Sequence, residues 1–589
     1  MRLIPSLCLV LTLAACTGQP PKSAAGADPG SFDVLLEQYW EERMQLFPVE
    51  ATQNGDNRYN DRMTIEFTDS FRDSLRRFYT KYRTGAGRFD TASLDENDRT
   101  SYAIFTREMD MQLEELSFRS NYIPFHQFWG RPLDLGQIGS GSGNQPFRTA
   151  DDYRAWIRRV RVFPAWADSA ILYFRKGIDS NYTLPAALVR RMIPQMKDLA
   201  RNDTAANVFY GPLRQLPEGL PAAEKDSLRN ALSTVLRNEV LPAYGRLAAF
   251  LEREYLPKAR TSTGISALPD GVRRYDYLIR YWTTTNKTAD AIYETGRAEV
   301  ARIRGEMERI RQEVGFAGDL NAFFEHMRTN PKFRPFKTPE DVLQAFRAIQ
   351  GRIDPHLQKM FGRTPRTPFE IRQTEAFRAA SASAEYSQGT PDGRRPGIFY
   401  VPILDATKFN LTSGMESLFL HEAIPGHHYQ ISLQQENEDL PKFRRFAWYG
   451  AYGEGWALYC ESLGKELGLY TDPYQYMGAL GDEIHRAIRL VVDVGMHRKG
   501  MTREEAIRYM MDNEAIDEAG ATAEIERYMA IPAQALSYKV GALAIRELRE
   551  AYAQKQGAGF RLADFHDRFL RDGSMPLAVI ERKMLEEER

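Results

Sequence analysis

Three of the nine histidines in this 589-residue chain fall within eight positions, His421-Glu422-Ala423-Ile424-Pro425-Gly426-His427-His428. Neutral imidazoles and carboxylates are the ligands that zinc takes in catalytic sites, where three protein groups leave a fourth position for water. A carboxylate beside such a site can take the proton of that water. The usual arrangement puts two histidines four residues apart on one helix. Here the second histidine is six or seven places on. Along an unbroken helix, six residues turn about 600° and rise about 9 Å, so His427 would face away from His421. His428 would face the right way but sit about 10.5 Å off. Pro425 removes the conflict. It has no N–H for the carbonyl of His421, and its ring collides with that carbonyl. Gly426 gives the backbone freedom to turn. The sequence therefore predicts a helix that starts near Ser413-Gly414-Met415-Glu416 and opens between His421 and His427. His427 is the expected second ligand, His428 its alternative, and Glu422 the expected general base. The competing reading is a solvated helix end with unrelated histidines.

A third ligand is expected downstream, in GAYGEGWALYCESLGKEL (Gly450 to Leu467). This stretch reads as helix. Glu454 and Glu461 are seven apart and so share a face. Gly453 and Gly455 flank Glu454 and suit close packing against another helix. Glu454 is assigned as the third ligand and Glu461 as a carboxylate that orients a histidine. The alternative for both is an ordinary exposed helix glutamate.

These residues resemble a bacterial family designated domain of unknown function eight-hundred-eighty-five. The likeness rests on HEAIPGHHYQ, EGWALYCE and QALSYKVG (Gln534 to Gly541). It extends to YDYLIRYWTTT (Tyr275 to Thr285), RPGIFYVP (Arg395 to Pro402) and GMHRKGMTREEAI (Gly495 to Ile507), so it covers nearly all of the mature chain. One departure is Ala533, where the pattern has Gly; its effect is expected to be minor. That family in turn resembles carboxypeptidase Taq, angiotensin-converting enzyme and thimet oligopeptidase. The resemblance implies a mainly α, large helical zinc-peptidase-like fold with a central channel and a small β-hairpin or sheet near the active site. It implies Zn2+ held by two histidines and a glutamate from the next helix. Ile488-Arg489, with Asp493 and His497, resembles the I-R-x-x-A-D stretch of carboxypeptidase Taq, and Ser537 to Gly541 resembles its T-Y-x-x-G stretch. By that likeness Tyr538 would donate to the oxyanion that develops during hydrolysis, a sound use of a phenol. Its alternative is a buried aromatic with a satisfied hydroxyl.

The elements that must position these groups are mostly helical. Apolar residues recur at helical spacing in Phe32 to Phe47, Ala155 to Phe174, Ala222 to Tyr255, Ala289 to Val314 and Pro339 to Ile353. The best strand is Gly397 to Leu404, after the turn Thr390-Pro391-Asp392-Gly393. Pro402 suits a sheet edge, where a peptide substrate adds as a further strand. Arg395 is either a fork for a substrate carboxylate or a surface residue in a turn. Leu268-Pro269-Asp270-Gly271 is the most linker-like interior point. The unit 31–589 is read as one helical body, with 31–268 and 269–589 as halves it could divide into.

The first fifteen residues are an address. Arg2 precedes an apolar run from Leu3 to Leu13, too short to span a bilayer. Small residues follow, as in a secretory signal. Leu13-Ala14-Ala15-Cys16 resembles a bacterial lipobox, which implies lipidation of Cys16 and anchoring to a bacterial membrane, facing the periplasm or the cell surface. The alternative is plain secretion. Residues 16–30 read as a flexible tether. Cys460 is then the lone cysteine of the mature body and is read as a core residue. The formal charge of −1 gives no basic surplus for a nucleic-acid partner. The expected function is zinc-dependent hydrolysis of peptide bonds. The rivals are a hydrolase of other amides or esters, and an inactive lipoprotein binding module.

Overall fold

The computed structural model describes residues 30–141, 143–374, 383–390, 393–412 and 414–586. The expectations for the signal segment, for Cys16 and for nearly all of the tether lie outside these residues, as do Ser413, Pro391 and Asp392. Among the described residues the protein is mainly helical, with one small three-stranded sheet.

The N-terminal third begins with Phe32–Leu46, capped by the Ser31 hydroxyl, which accepts from the Val34 N–H. Pro48 ends that run and opens a short second helix, Pro48–Gln53, since proline suits a helix's first turn and disfavours its interior. The apolar stretch from Ala222 to Tyr255 is helical throughout, though two π-turns, Leu236–Val240 and Leu251–Tyr255, interrupt its regular winding.

Eight helices and the sheet form the part that builds the site. They are α1 (Ala289–Glu313), α2 (Pro339–Met360), α3 (Met415–Glu422), α4 (His427–Glu436), α5 (Gly450–Ser462), α6 (Pro473–Arg498), α7 (Glu518–Ala530) and α8 (Leu536–Gln556). The strands are β1 (Phe369–Gln373), β2 (Glu385–Ser387) and β3 (Gly397–Val401). Helix α1 lies along α6, and α5 along α8. Helix α5 is buried on almost every side, from Gly450 to Glu461, so it has no polar stripe of the kind a surface helix shows. Cys460 is fully buried there among the apolar side chains beneath the site, where burial pushes its thiol well above the usual range.

Close approach of α5 and α8 depends on two glycines. A Cβ on Gly455 would lie 2.7 Å from the backbone of Gly541, and one on Gly541 would lie 2.1 Å from the Ala451 carbonyl oxygen. Ala533, just before α8, has a φ of +67°. Its N–H donates to Asp493 at 3.1 Å. The left-handed conformation costs an alanine roughly 1–2 kcal/mol that glycine would not bear, so the departure at this position is felt by the backbone.

The sheet order is β1-β3-β2, with β3 parallel to β1 and antiparallel to β2. This corrects the expectation of an edge strand at Gly397 to Leu404. The strand stops at Val401 and both of its sides are occupied, so Pro402 lies just beyond it and no peptide can add along it. The available edges belong to β1 and β2. Arg395 is exposed in the turn before β3. Residues 268–271 do not read as a linker in three dimensions. Leu268 is buried with Tyr182 and Tyr275, Leu490 and Leu536, and the largest apolar cluster draws residues from both sides of position 268.

Candidate metal centre

Helix α3 ends at Glu422 and α4 begins at His427. Between them the backbone leaves helical geometry, with φ −103° and ψ −110° at Ala423 and φ −68° and ψ −123° at Gly426. A Cβ at Gly426 would lie 1.9 Å from the His421 carbonyl oxygen, so only glycine allows the chain to pass this close. The Pro425 carbonyl accepts the indole N–H of Trp456 on α5 at 3.0 Å, which ties the break to the helix that carries the two glutamates.

The break brings the rings of His421 and His427 to a centroid distance of 5.0 Å, at right angles. One oxygen of Glu454 lies 3.5 Å from Nε2 of His421 and 3.5 Å from Nε2 of His427. One ligand atom from each of the three residues lies within 4.8 Å of the others. Ligands at about 2.0–2.1 Å from a tetrahedral zinc ion stand about 3.4 Å apart. The observed spacing is therefore too long for good hydrogen bonds and suits three groups around one cation.

Electrostatics point the same way. Burial alone would favour neutral groups, yet the carboxylates of Glu454 and Glu461 lift the His421 imidazole to about 10. Burial likewise opposes ionisation of Glu454, but the two imidazoles overcome it and hold its carboxyl well below the usual range. The cluster thus draws in positive charge. His421 Nδ1 lies 2.7 Å from Glu461 Oε1. A cation that displaces the Nε2 proton would leave the Nδ1 proton donated to Glu461 and the Nε2 lone pair facing Glu454 and His427. His427 Nδ1 is buried without a hydrogen-bond partner among the described residues.

Glu422 closes α3 beside His421 and is only partly buried. Its Oε2 accepts the backbone N–H of Tyr386 at 2.9 Å. That N–H lies on the side of β2 away from β3, so the short edge strand faces this carboxylate. Tyr538, in the first turn of α8, is partly buried with the Arg489 guanidinium 4.6 Å from its ring centre. Burial first, and the nearby Glu454 charge second, push its hydroxyl upward and keep it protonated.

His428 is not part of the cluster. It points to the sheet, where Nδ1 is 3.0 Å from the Tyr386 hydroxyl and its ring is 5.0 Å from that of Phe369. Burial pushes it down to about 4, so it is neutral. The alternative of His428 as the second ligand is corrected accordingly: one residue beyond His427, the helix has turned its side chain about 100° away from the cluster. Gly453 also departs from expectation. It does not meet another helix but seats Trp448, whose ring would lie 2.4 Å from a Cβ there. Trp448 in turn packs 5.8 Å from the His427 ring. Sequence reasoning passed over Trp448 and Tyr386. The first stands six residues before Glu454 and had a signal in the otherwise unexplained Gly453; the second had none.

The profile of a bacterial protein family of unknown function, DUF885, matches residues 48–584. Among solved structures, the one described as "the putative lipoprotein from Colwellia psychrerythraea" superposes with a TM-score of 0.85 at 28% identity, covering 94% of this chain and 98% of that one. The one described as "a putative lipoprotein of unknown function from Shewanella oneidensis" has a TM-score of 0.74 at 22% identity, covering 94% and 100%. No curated protein matches. Among the described residues, no helix is long and apolar enough to cross a membrane.

Proposed function

This chain belongs to the bacterial DUF885 family, and we propose that it is a zinc-dependent hydrolase of peptide bonds, held at a bacterial membrane by a lipid on Cys16. The observation that carries this reading is the convergence of His421, His427 and Glu454 on one point with Glu422 beside it. The resemblance to helical zinc peptidases supports it.

When bound, zinc supplies Lewis acidity toward a carbonyl oxygen and toward water. The chain's own groups do the rest. Glu461 fixes the tautomer and orientation of His421. The Tyr386 N–H holds one oxygen of Glu422 and leaves the other free to take a proton from the attacking water. Water adds to the amide carbon, and the Tyr538 hydroxyl donates to the oxygen on which negative charge develops. Glu422 then delivers the proton to the leaving nitrogen, the C–N bond breaks, and a carboxylate and an amine depart. The same groups would serve other amides or esters, and a digest of a peptide library separates these substrate classes.

Glu422→Gln is expected to keep about one zinc per chain by elemental analysis while turnover falls by roughly 10²–10⁴. His421→Ala is expected to lose the metal. A chelator should abolish activity and zinc should restore it. Unchanged turnover in Glu422→Gln defeats the assigned role, and activity that survives chelation defeats the zinc reading. For the anchor, the support is Cys16 in its lipobox-like setting and the description of the Colwellia psychrerythraea neighbour. Palmitate label incorporated by the wild type but not by Cys16→Ser is the expected result; label retained in the variant rules out this site.

A further inference from the structure

Trp448 is 48% exposed, although it sits on Gly453 and packs against His427. Phe446, 37% exposed, lines the same cavity as Trp448, so two exposed aromatic rings stand together near the His427 cluster. A cavity of about 510 Å³ is lined by Glu461 and not by Trp448. Trp448 borders a smaller cavity of about 220 Å³, walled by Trp40, Tyr281, Trp282, Phe446 and Tyr449 as well. Trp40 and Phe446 are stacked, with ring centres 5.6 Å apart.

The charged groups in this wall are already spoken for. Arg43 and Glu50 form a two-pronged pair at 2.8 and 2.9 Å. Arg107 donates to the Arg280 carbonyl at 2.8 Å, and Glu108 accepts from Gln112 at 2.8 Å. Two cations and two anions leave no net charge to select an ionic group. The rings of Trp40, Tyr281, Trp282, Phe446, Trp448 and Tyr449 supply the apolar part of the wall, beside the amides of Asn54 and Gln112. A dry apolar cavity of about 150 Å³ accepts benzene, so this one has room for a phenyl or isobutyl group.

We propose that this cavity is a specificity subsite that takes the large apolar side chain, aromatic or leucine-like, of a substrate residue close to the bond that is cut, with Trp448 as its wall toward His427. This rests on the hydrolase reading for its substrate and adds to that reading which peptides are preferred. Trp448 is a specificity-determining residue in this scheme, and Gly453 positions it.

The test is calorimetric titration of the zinc-loaded Glu422→Gln protein with two capped pentapeptides, five alanines and the same peptide with a central phenylalanine. The phenylalanine peptide is expected to bind at least ten-fold tighter, and Trp448→Ala, made in that background, to bring the ratio toward one. Trp282→Ala, on another wall, should lower the ratio as well, which guards against a Trp448 variant that does not fold. A phenylalanine peptide that binds no tighter than polyalanine, or not at all, overturns the proposal, as does a ratio unchanged in both variants. The hydrolase reading fails by a different result: wild-type protein that binds these peptides with the expected preference and cuts neither.

Discussion

His421 contacts Glu461 at Nδ1 at 2.7 Å, while its Nε2 faces Glu454 at 3.5 Å, and this makes Glu461 a direct probe of how the ring is set. Glu461→Gln keeps the size and an acceptor oxygen but removes the charge. Zinc affinity is expected to fall about 10- to 100-fold, measured by competition with a chromophoric chelator, while the fold is retained. Equal affinity in the two proteins would mean that the 2.7 Å contact does not orient the ligand. The places of these groups were legible because a seven-residue interval puts Glu454 and Glu461 on one helix face whatever surrounds them. The choice between His427 and His428 was harder. It depends on how far the backbone turns at Gly426, and adjacent residues on a helix differ by about 100°. Tyr386 could not be found at all, since its N–H reaches Glu422 from thirty-six residues away in the chain.

Between elements, the site relies on the contact of α5 with α8, because α5 carries Glu454, Glu461 and the seat of Trp448. Gly455 and Gly541 meet backbone to backbone, so an added side chain cannot be relieved by rotating a flexible neighbour. Gly541→Ala is expected to cost about 1–3 kcal/mol as the helices move apart and to reduce bound zinc with it. Urea unfolding and metal content on the same sample check this. Unaltered stability and a full complement of zinc would show that the helices can separate without disturbing Glu454. Most of the helices were readable from periodicity, and α1 differs from the expected run by one residue at its end, but the run expected from Ala155 to Phe174 is two helices, Ala150–Val160 and Phe163–Asp179, divided at Arg161 and Val162. The sheet was readable only in its middle. β3 is Gly-Ile-Phe-Tyr-Val, four of its five residues buried, whereas β1 buries one residue of five and β2 none of three. β1, Phe-Glu-Ile-Arg-Gln, carries a short alternation that was passed over, and the three residues of β2 are too few to show one, so the apolar strand looked like an edge when it is the centre.

Across the whole molecule, what sequence could not supply was the joining of distant segments. Leu-Pro-Asp-Gly at 268–271 has the composition of a linker, yet Ile265 just before it donates its N–H to His497 Nδ1 at 3.0 Å. The other nitrogen of His497 donates to the Tyr528 carbonyl at 3.0 Å, so one neutral imidazole stitches this segment to α6 and α7. His566 does the same elsewhere, with Nδ1 2.8 Å from the Met360 carbonyl oxygen and Nε2 2.9 Å from the Tyr459 hydroxyl. Burial pushes both down to about 3. An unfolded chain titrates such histidines near 6.5. Between pH 6.5 and 3 the unfolded state therefore binds one more proton at each, and stability falls on acidification by about 1.4 kcal/mol per pH unit per histidine. Asp493 acts in the opposite sense. Burial raises it to about 7, so its contribution is full below its unfolded value and is lost as pH rises through 7. Over the interval from about 4 to 6.5 it offsets one histidine and leaves the other uncompensated. His566→Gln, which keeps a donor and an acceptor but cannot titrate, should remove about 1.4 kcal/mol per pH unit from the wild-type slope. Urea midpoints at pH 6.5, 5.5 and 4.5 for the two proteins supply the comparison, and taking their difference cancels the carboxylates they share. Parallel curves would mean that His566 takes up its proton without breaking the Met360 and Tyr459 contacts, and that the join between these segments does not depend on a neutral ring.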